Sequence, residues 1–429
     1  MSSAISFEEK KRGFALKCFV CKSVYDIDEY GKFYNCAKCG NLLEVERLGG
    51  NLSSKNKEEE MGAGVWRYLE MLPIWDKRKI VSLSEGNTIL VECKNLGEHL
   101  GLLSLFVKFE GLNPTGSFKD RGMTVGVSKA LELGYKSTMC ASTGNTSASL
   151  AAYAARAGIS CIVLVPKGKI AMGKIAQAIV YGAKIYQVEG NFDDSLKLAS
   201  EMCEKNRNIL LLNSLNPFRI EGQKTVAFEI YEQLGREMPG HVVLPVGNGG
   251  NIAAAWKGLC EIKALGLFGW EPPSKLPRMI GVQAEGAAPV AKAFKAGTRD
   301  SIDFVKDPHT EASAINIGSP VSWRKTLAAI FDSGGRADAV TDSEILSAQR
   351  LLASKEGIFV EPASAAPIAY LVKICSMRGE EYNEMKNSRV VCICTGNGLK
   401  DPNAVLKGIS PDQLESIPAR AESLDKVLA

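Results

Sequence analysis

The feature that most limits what this chain can fold into is a run of short apolar segments beginning near residue 105. LFVKF, STMCA, ISCIVLV, KIYQV, NILLLN, HVVLPV, RMIGVQA and RVVCIC are rich in β-branched residues and mostly apolar at successive positions. Strands of that kind are buried on both faces, the condition of a parallel sheet covered by helices. Helical patterns separate them: TSASLAAYAARAG, with Thr146 as a candidate N-cap and Gly158 just past the end, then MGKIAQAIVYGA, DDSLKLASEMCEKN, EGQKTVAFEIYEQLG and TDSEILSAQRLLASKEG. The alternation predicts an α/β, doubly wound body, in two lobes with a cleft between them.

Composition permits this and removes other classes. The 429 residues give room for two or three domains, and 45% hydrophobic with 23% charged residues is the make-up of an ordinary globular chain. The formal charge, 52 − 48 = +4, is spread thinly, and the nearest candidate for a basic patch, KKRGF from Lys10 to Phe14, is too short for a nucleic-acid face. MSSAISFEEKKRG lacks the apolar centre of a signal peptide, and no run of about 18 apolar residues suggests a membrane span. A cytoplasmic protein with neither nucleic-acid nor membrane partners is expected. Eight of the twelve cysteines sit singly, or nearly so, in apolar segments such as ISCIVLVP, as small buried residues of a reducing compartment.

The other four, Cys18, Cys21, Cys36 and Cys39, form C-x2-C-x14-C-x2-C. Each pair sits in a turn that aims two sulfurs at one point, and two such turns supply the four thiolates of a closed, structural zinc site. VYDIDEYGKFY between them reads as a hairpin with Gly31 at its turn. A zinc ribbon is expected over residues 1–48 and a polar linker with a docking segment over 49–80, where NLSSKNKEEE precedes VWRYLEMLPIW. A catalytic domain is expected over 81–429, with a smaller lobe of approximately 115–220 inserted in the larger.

Three strand ends carry small polar and glycine residues: Ser142 to Thr146 (STGNT), Gly247 to Asn251 (GNGGN) and Thr395 to Gly398 (TGNG). In open α/β sheets ligands gather at such ends, where helix N-termini present free N–H groups. GNGGN is the best phosphate cradle, though it is neither a P-loop nor a dinucleotide fingerprint. With only His99, His241 and His309, and none of them near a motif, no histidine chemistry is apparent. The remaining reagent is Lys119, in NPTGSFKDRG, where Pro114 and Gly116 fix the loop and Ser117 and Asp120 are candidate helix-start residues. A lysine amine, a phosphate cradle and a partner for a ring nitrogen are the requirements of pyridoxal 5′-phosphate chemistry. A surface lysine paired with Asp120 is the plainer alternative.

At these residues the sequence resembles the threonine synthase family of fold type II pyridoxal-phosphate enzymes, in its form with an N-terminal zinc ribbon. SEGNT, FEGLNPTGSFKDRGM, CASTGNTSASLAAYAARAG, GNFDD, LLNSLNPFRIEGQKT, PVGNGGNIAAAWKG, ASAINIGSPVSW, EGIFVEPASAA and CTGNG carry it in one order. Ile89 replaces the proline usual after SEGNT, and Gly249 stands in a loop that often carries alanine, both conservative departures. The resemblance implies conversion of O-phospho-L-homoserine and water to L-threonine and phosphate, by γ-elimination and addition of water at Cβ. It implies that Lys119 is the Schiff-base lysine and proton carrier, and that Asn145 bonds the pyridine 3-oxygen. Gly247, Asn248, Gly249, Gly250 and Asn251 then hold the cofactor phosphate, and Thr395 faces the ring nitrogen. Ser142, Thr143, Asn145 and Thr146 take the substrate carboxylate, and Ser214, Arg219 and Asn248 the substrate phosphate. A homodimer is common in the family. Threonine or serine dehydratases, and a cysteate synthase acting on O-phosphoserine and sulfite, share the lysine and glycine loops. A catalytically dead scaffold protein is a reading of another class, which the intact loops disfavour.

Overall fold

The structure is a computed structural model and describes residues 13–31, 33–49, 63–168, 172–265 and 270–406, with positions 416, 418 and 420. Lys10 to Arg12 of the basic cluster and the whole of NLSSKNKEEE lie outside the described residues.

Strands β1 (Phe14–Cys18), β2 (Val24–Tyr25) and β3 (Leu43–Arg47) make a small antiparallel sheet of order β2-β1-β3. The expected hairpin over VYDIDEYGKFY is different in form. After β2 the chain makes one helical turn, Ile27–Tyr30, because the Asp26 side chain accepts the N–H of Glu29 and draws the backbone into a helix start. Gly31 closes that turn in an ordinary right-handed conformation.

In the body, β4 (Leu90–Glu92) and β5 (Ser104–Phe109) come first. β6 (Ser137–Ala141), β7 (Ser160–Pro166), β8 (Lys184–Val188) and β9 (Ile209–Leu211) follow as a separate parallel sheet of order β8-β7-β6-β9. β10 (His241–Pro245), β11 (Arg278–Ala284), β12 (Arg336–Val340) and β13 (Arg389–Cys394) then return to β4 and β5. They complete a six-stranded sheet of order β12-β11-β10-β13-β5-β4, parallel except for β4. Two strands escape the apolar reading. β12 is RADAV, half polar, and β4 is an edge strand of three residues. β8 is mostly exposed, not buried on both faces, because it lies at the edge of its sheet.

Two helices tie the sheets together, Lys119–Glu132 and Pro217–Gln233. A Cβ on Gly222 would lie 1.7 Å from the Arg121 carbonyl oxygen, and one on Gly122 would lie 2.9 Å from that of Arg219. Glycine on both sides therefore lets the backbones meet directly. Lys119 and Arg219 each stand three residues before the contact glycine, on the same side of its helix. The crossing thus brings a lysine and an arginine to one place.

Behind them Arg121 is buried between two glutamates. It donates to Glu110 at 2.6 and 2.8 Å and to Glu229 at 2.7 and 2.6 Å, and Lys108 adds 2.7 Å to Glu229. Two cations and two carboxylates compensate one another out of water, so removing any one leaves a buried charge unpaired. The first turn of the Lys119 helix is anchored through this group.

Candidate active site

β5, β13 and β10 are neighbours in the large sheet, and the lysine loop, TGNG and GNGGN follow their carboxyl ends in that order. Adjacency in the sheet is what gathers loops from residues 113–118, 395–398 and 247–251. The loops also bond to one another. The Phe118 N–H donates to the Thr395 carbonyl at 2.9 Å, and the Asn397 N–H to that of Gly116 at 2.9 Å. STGNT approaches from the second sheet, at the end of β6. A cleft of ≈ 780 Å³ lies between, and Lys119, Ser142, Thr143, Asn145, Thr146, Ser214, Arg219, Gly247, Asn248, Gly249, Gly250, Asn251 and Thr395 all border it.

Lys119 is not paired with Asp120. That carboxylate is fully buried and accepts from the Thr115 N–H at 2.7 Å, the Thr115 hydroxyl at 2.6 Å and the Ser149 hydroxyl at 2.5 Å. It braces the loop instead of capping the helix, which starts at Lys119 after Phe118 with no side-chain cap. Burial, and next the nearby Arg219 charge, pull the Lys119 amine down to about 7, while Glu361 opposes them. A large fraction of the amine is therefore neutral and nucleophilic near neutral pH.

The helix that follows STGNT runs Asn145–Ala157 with Gly144 before it, so Thr146 lies inside the first turn and is not the N-cap. The Gly144 carbonyl accepts the Ala148 N–H as the first bond of the helix, and the Ser147 hydroxyl as well, and no side chain caps this start. Gly158 ends the helix in the left-handed conformation, as its position suggests. Asn213 locks the neighbouring loop in place, its amide bonding both the N–H and the carbonyl of Ala141 at 2.9 Å. Asn216 then caps the Arg219 helix through the Phe218 N–H at 3.0 Å.

The cradle GNGGN leads into the helix Gly250–Leu265, whose first N–H groups have no partner within the helix. Gly249 is not interchangeable with alanine here. Its φ is +81°, and a Cβ would fall 2.0 Å from the Thr326 hydroxyl. The departure at this position is thus a backbone requirement in this chain.

Several buried polar atoms at the cleft have no partner in the protein. Both Nε and an Nη of Arg219, the Asn251 amide nitrogen and the Asn316 amide oxygen stand alone. Such groups are costly unless a ligand meets them. Burial lowers the Arg219 guanidinium to about 10, still charged at neutral pH. Unpaired donors, a glycine-lined helix N-terminus and a half-neutral lysine together fit a phosphorylated aldehyde cofactor.

Some cleft residues carried no signal in the sequence. Asn316 stands within ASAINIGSPVSW, a stretch given no site role above, and His309 comes from just before it, so a histidine does reach the cleft wall. Lys400 borders the cleft and donates to the Thr115 carbonyl at 2.8 Å. Glu361 also borders the cleft, within EGIFVEPASAA, where a glutamate before proline reads only as a helix start; Ser364 of the same stretch is buried behind it.

Apart from the cleft, the sulfurs of Cys18, Cys21, Cys36 and Cys39 all lie within 4.8 Å of one another. Four thiolates around one zinc stand about 3.8 Å apart, given Zn–S bonds of about 2.3 Å. The Cys18–Cys39 and Cys21–Cys36 separations are 3.5 Å, so the cluster suits such an ion.

The pattern of the pyridoxal-phosphate dependent enzyme family matches residues 81–396, and the chain belongs to that class of protein. Serine racemase from maize shares the fold, with a TM-score of 0.63 and 19% identity over 85% of this chain and 98% of that one. The threonine synthase of Methanocaldococcus jannaschii is 54% identical over 91% of this chain and 94% of its own length. That of Methanosarcina acetivorans is 50% identical over 92% and 94%. Within its class, the chain belongs to the threonine synthases.

Proposed function

We infer that the chain is a threonine synthase, a pyridoxal-phosphate-dependent carbon–oxygen lyase that converts O-phospho-L-homoserine and water to L-threonine and phosphate. The observation that carries this is identity of about half over nine-tenths of the chain to curated threonine synthases. The cleft, with its lysine, cradle and unpaired arginine, supports it.

Pyridoxal phosphate, when bound, supplies an aldehyde that captures amines and a ring that withdraws electrons from the substrate's α-carbon. Gly247 to Asn251 would hold its phosphate with backbone N–H groups and the helix N-terminus. Lys119 would be its covalent anchor. Burial keeps the amine from holding its proton firmly near neutral pH, and once released it would accept and return a proton at the substrate's Cα and Cβ. Arg219, with Ser214 and Asn248 of the same cleft wall, would grip the departing phosphate, the guanidinium fork offering two parallel donors. Ser142, Thr143 and Thr146, with Asn145, would receive the substrate carboxylate. The Thr395 hydroxyl would meet the ring nitrogen, and being neutral it would not fully protonate it.

Beyond the reaction, we propose zinc at the four cysteines, a division into ribbon, docking segment and catalytic body, and a cytoplasmic homodimer. Support comes from the four convergent sulfurs, the sheet organisation, the many reduced buried cysteines and the family resemblance.

The test is direct. The purified protein is expected to show a visible cofactor absorbance and to release phosphate and form threonine from O-phosphohomoserine, while Lys119→Ala folds but loses both. Faster reaction of O-phosphoserine with sulfite would assign the chain to cysteate synthesis, and substantial activity in Lys119→Ala would overturn the role of the lysine.

A further inference from the structure

Glu361 and Ser364 begin the helix Pro362–Met377, and each touches one of the two residues assigned to the cofactor's ring. Both oxygens of the buried Glu361 carboxylate accept from the Asn145 amide nitrogen, at 3.0 Å each. The Glu361 N–H donates to the Gly396 carbonyl at 3.0 Å. Ser364, fully buried, accepts the Gly396 N–H at 2.7 Å and lies 2.8 Å from the Thr395 hydroxyl. A Cβ on Gly396 would fall 2.4 Å from a Glu361 carboxylate oxygen, so the residue beside Thr395 has no room for a side chain. One helical turn therefore grips Asn145, from the second sheet, and Thr395, from the first.

The partners of both groups limit how each can be oriented. The Ser364 oxygen already accepts from Gly396 and has one proton to give. Thr395 at 2.8 Å is within good O–H···O distance, whereas the Glu361 oxygen at 3.5 Å is not. A proton given by Ser364 to Thr395 leaves the Thr395 proton free to point outward as a donor. On the other side, Glu361 accepts one N–H of Asn145, which turns the amide nitrogen toward the carboxylate and leaves its second N–H to bond elsewhere.

We propose that Glu361 and Ser364 are positioning residues for the reaction, Glu361 setting the amide of Asn145 and Ser364 setting the hydroxyl of Thr395 as a donor to the ring nitrogen. This rests on the reading that Asn145 and Thr395 meet the ring edge. Neither Glu361 nor Ser364 has to touch substrate for this role.

The experiment uses the cofactor-loaded protein without substrate and reads two quantities, the dissociation constant for pyridoxal phosphate and the position of its visible band. Asn145→Ala and Thr395→Val define what losing each ring contact does. Glu361→Ala is expected to weaken cofactor binding roughly 3- to 10-fold, the weight of one hydrogen bond, and to shift the band as Asn145→Ala does. Glu361→Gln keeps an accepting oxygen and should stay near wild type. Adding Glu361→Ala to Asn145→Ala should cost little more, since the two act as a unit. Ser364→Ala should reproduce Thr395→Val, and this pair carries the comparison should Glu361→Ala fail to fold. Wild-type affinity and band in Glu361→Ala and Ser364→Ala, alongside altered Asn145→Ala and Thr395→Val, would overturn the proposal. So would a Glu361→Gln as weak as Glu361→Ala. If Asn145→Ala and Thr395→Val are themselves unchanged, the ring-edge reading fails and the proposal with it.

Discussion

Lys119 differs from a surface lysine by a charge it cannot comfortably keep. Burial is the main cause, Arg219 adds to it, and the amine falls from the usual 10.5 to about 7. Between those values the unfolded chain binds a proton that the folded, cofactor-free protein does not. Stability of that form therefore rises with pH through the window from about 7 to 10.5, and the penalty is largest below it. Reactivity follows the same sign, because only the neutral amine acylates. In the cofactor-free protein, modification of Lys119 by an acylating reagent, followed by peptide mass spectrometry, is expected to rise with a midpoint near 7. Exposed lysines should show theirs near 10. A midpoint for Lys119 among the exposed lysines would contradict the burial of the amine. The sequence marked this residue through its glycine-rich neighbourhood and the shortage of histidine. It did not reveal Arg219 as the neighbour that adds to the shift, because that proximity arises from a helix crossing a hundred residues away.

At the scale of elements, the apolar runs located β5 to β7, β9 to β11 and β13 because burial on both faces leaves a compositional mark. β12 and β4 left no such mark, being half polar or very short. Helix starts were harder to read, since capping is a competition among local acceptors. Asp120 is taken by Thr115 and Ser149, and the helix that Thr146 was expected to cap already begins at Asn145, after Gly144, which has no side chain to cap with. The glycine loops were legible as a pattern, but the role of each glycine needed the backbone. Gly249 at φ +81° faces the Thr326 hydroxyl, while Gly144 at φ −141° has open space around its missing side chain. Gly249→Ala is therefore expected to strain the cradle by about 1–2 kcal/mol and to lower cofactor affinity about tenfold. Gly144→Ala should leave affinity within a factor of about two to three, as a modest change at a helix N-cap would. Equilibrium titration with pyridoxal phosphate checks both, and equal effects at the two positions would show that backbone conformation is not what selects glycine at 249.

For the whole molecule, the small N-terminal sheet is packed into the body. Leu16, Ile27, Leu43 and Val45 share one apolar core with Trp66, Leu72 and Ile74, and with Val125 and Phe218 of the two crossing helices. VWRYLEMLPIW is apolar enough to be expected in a packed core, yet its partners there were not readable, because Val125 and Phe218 look like any helix residues. Polar contacts reinforce the apolar ones. Lys257 donates to the Val45 carbonyl and pairs with Glu221, and Lys325 donates to the Leu43 carbonyl at 3.2 Å and pairs with Glu44. Lys257 belongs to the helix that starts in GNGGN, and Lys325 to the helix whose Thr326 packs on Gly249. The small sheet thus touches two helices whose first turns border the cleft or pack on its glycine loop. If one ion holds the four thiolates, losing it should loosen β3 and withdraw both carbonyls from their lysines. Cys36→Ser is expected to carry little or no zinc, to be cut faster within residues 13–49 by a dilute protease, and to bind pyridoxal phosphate roughly 3- to 10-fold more weakly. Metal analysis, timed proteolysis and cofactor titration read the three effects separately. Equal zinc in wild type and variant would remove the four-thiolate site. Lost zinc with unchanged proteolysis would mean that the apolar core alone holds the ribbon, and unchanged cofactor affinity would cut the link from β3 to the cradle.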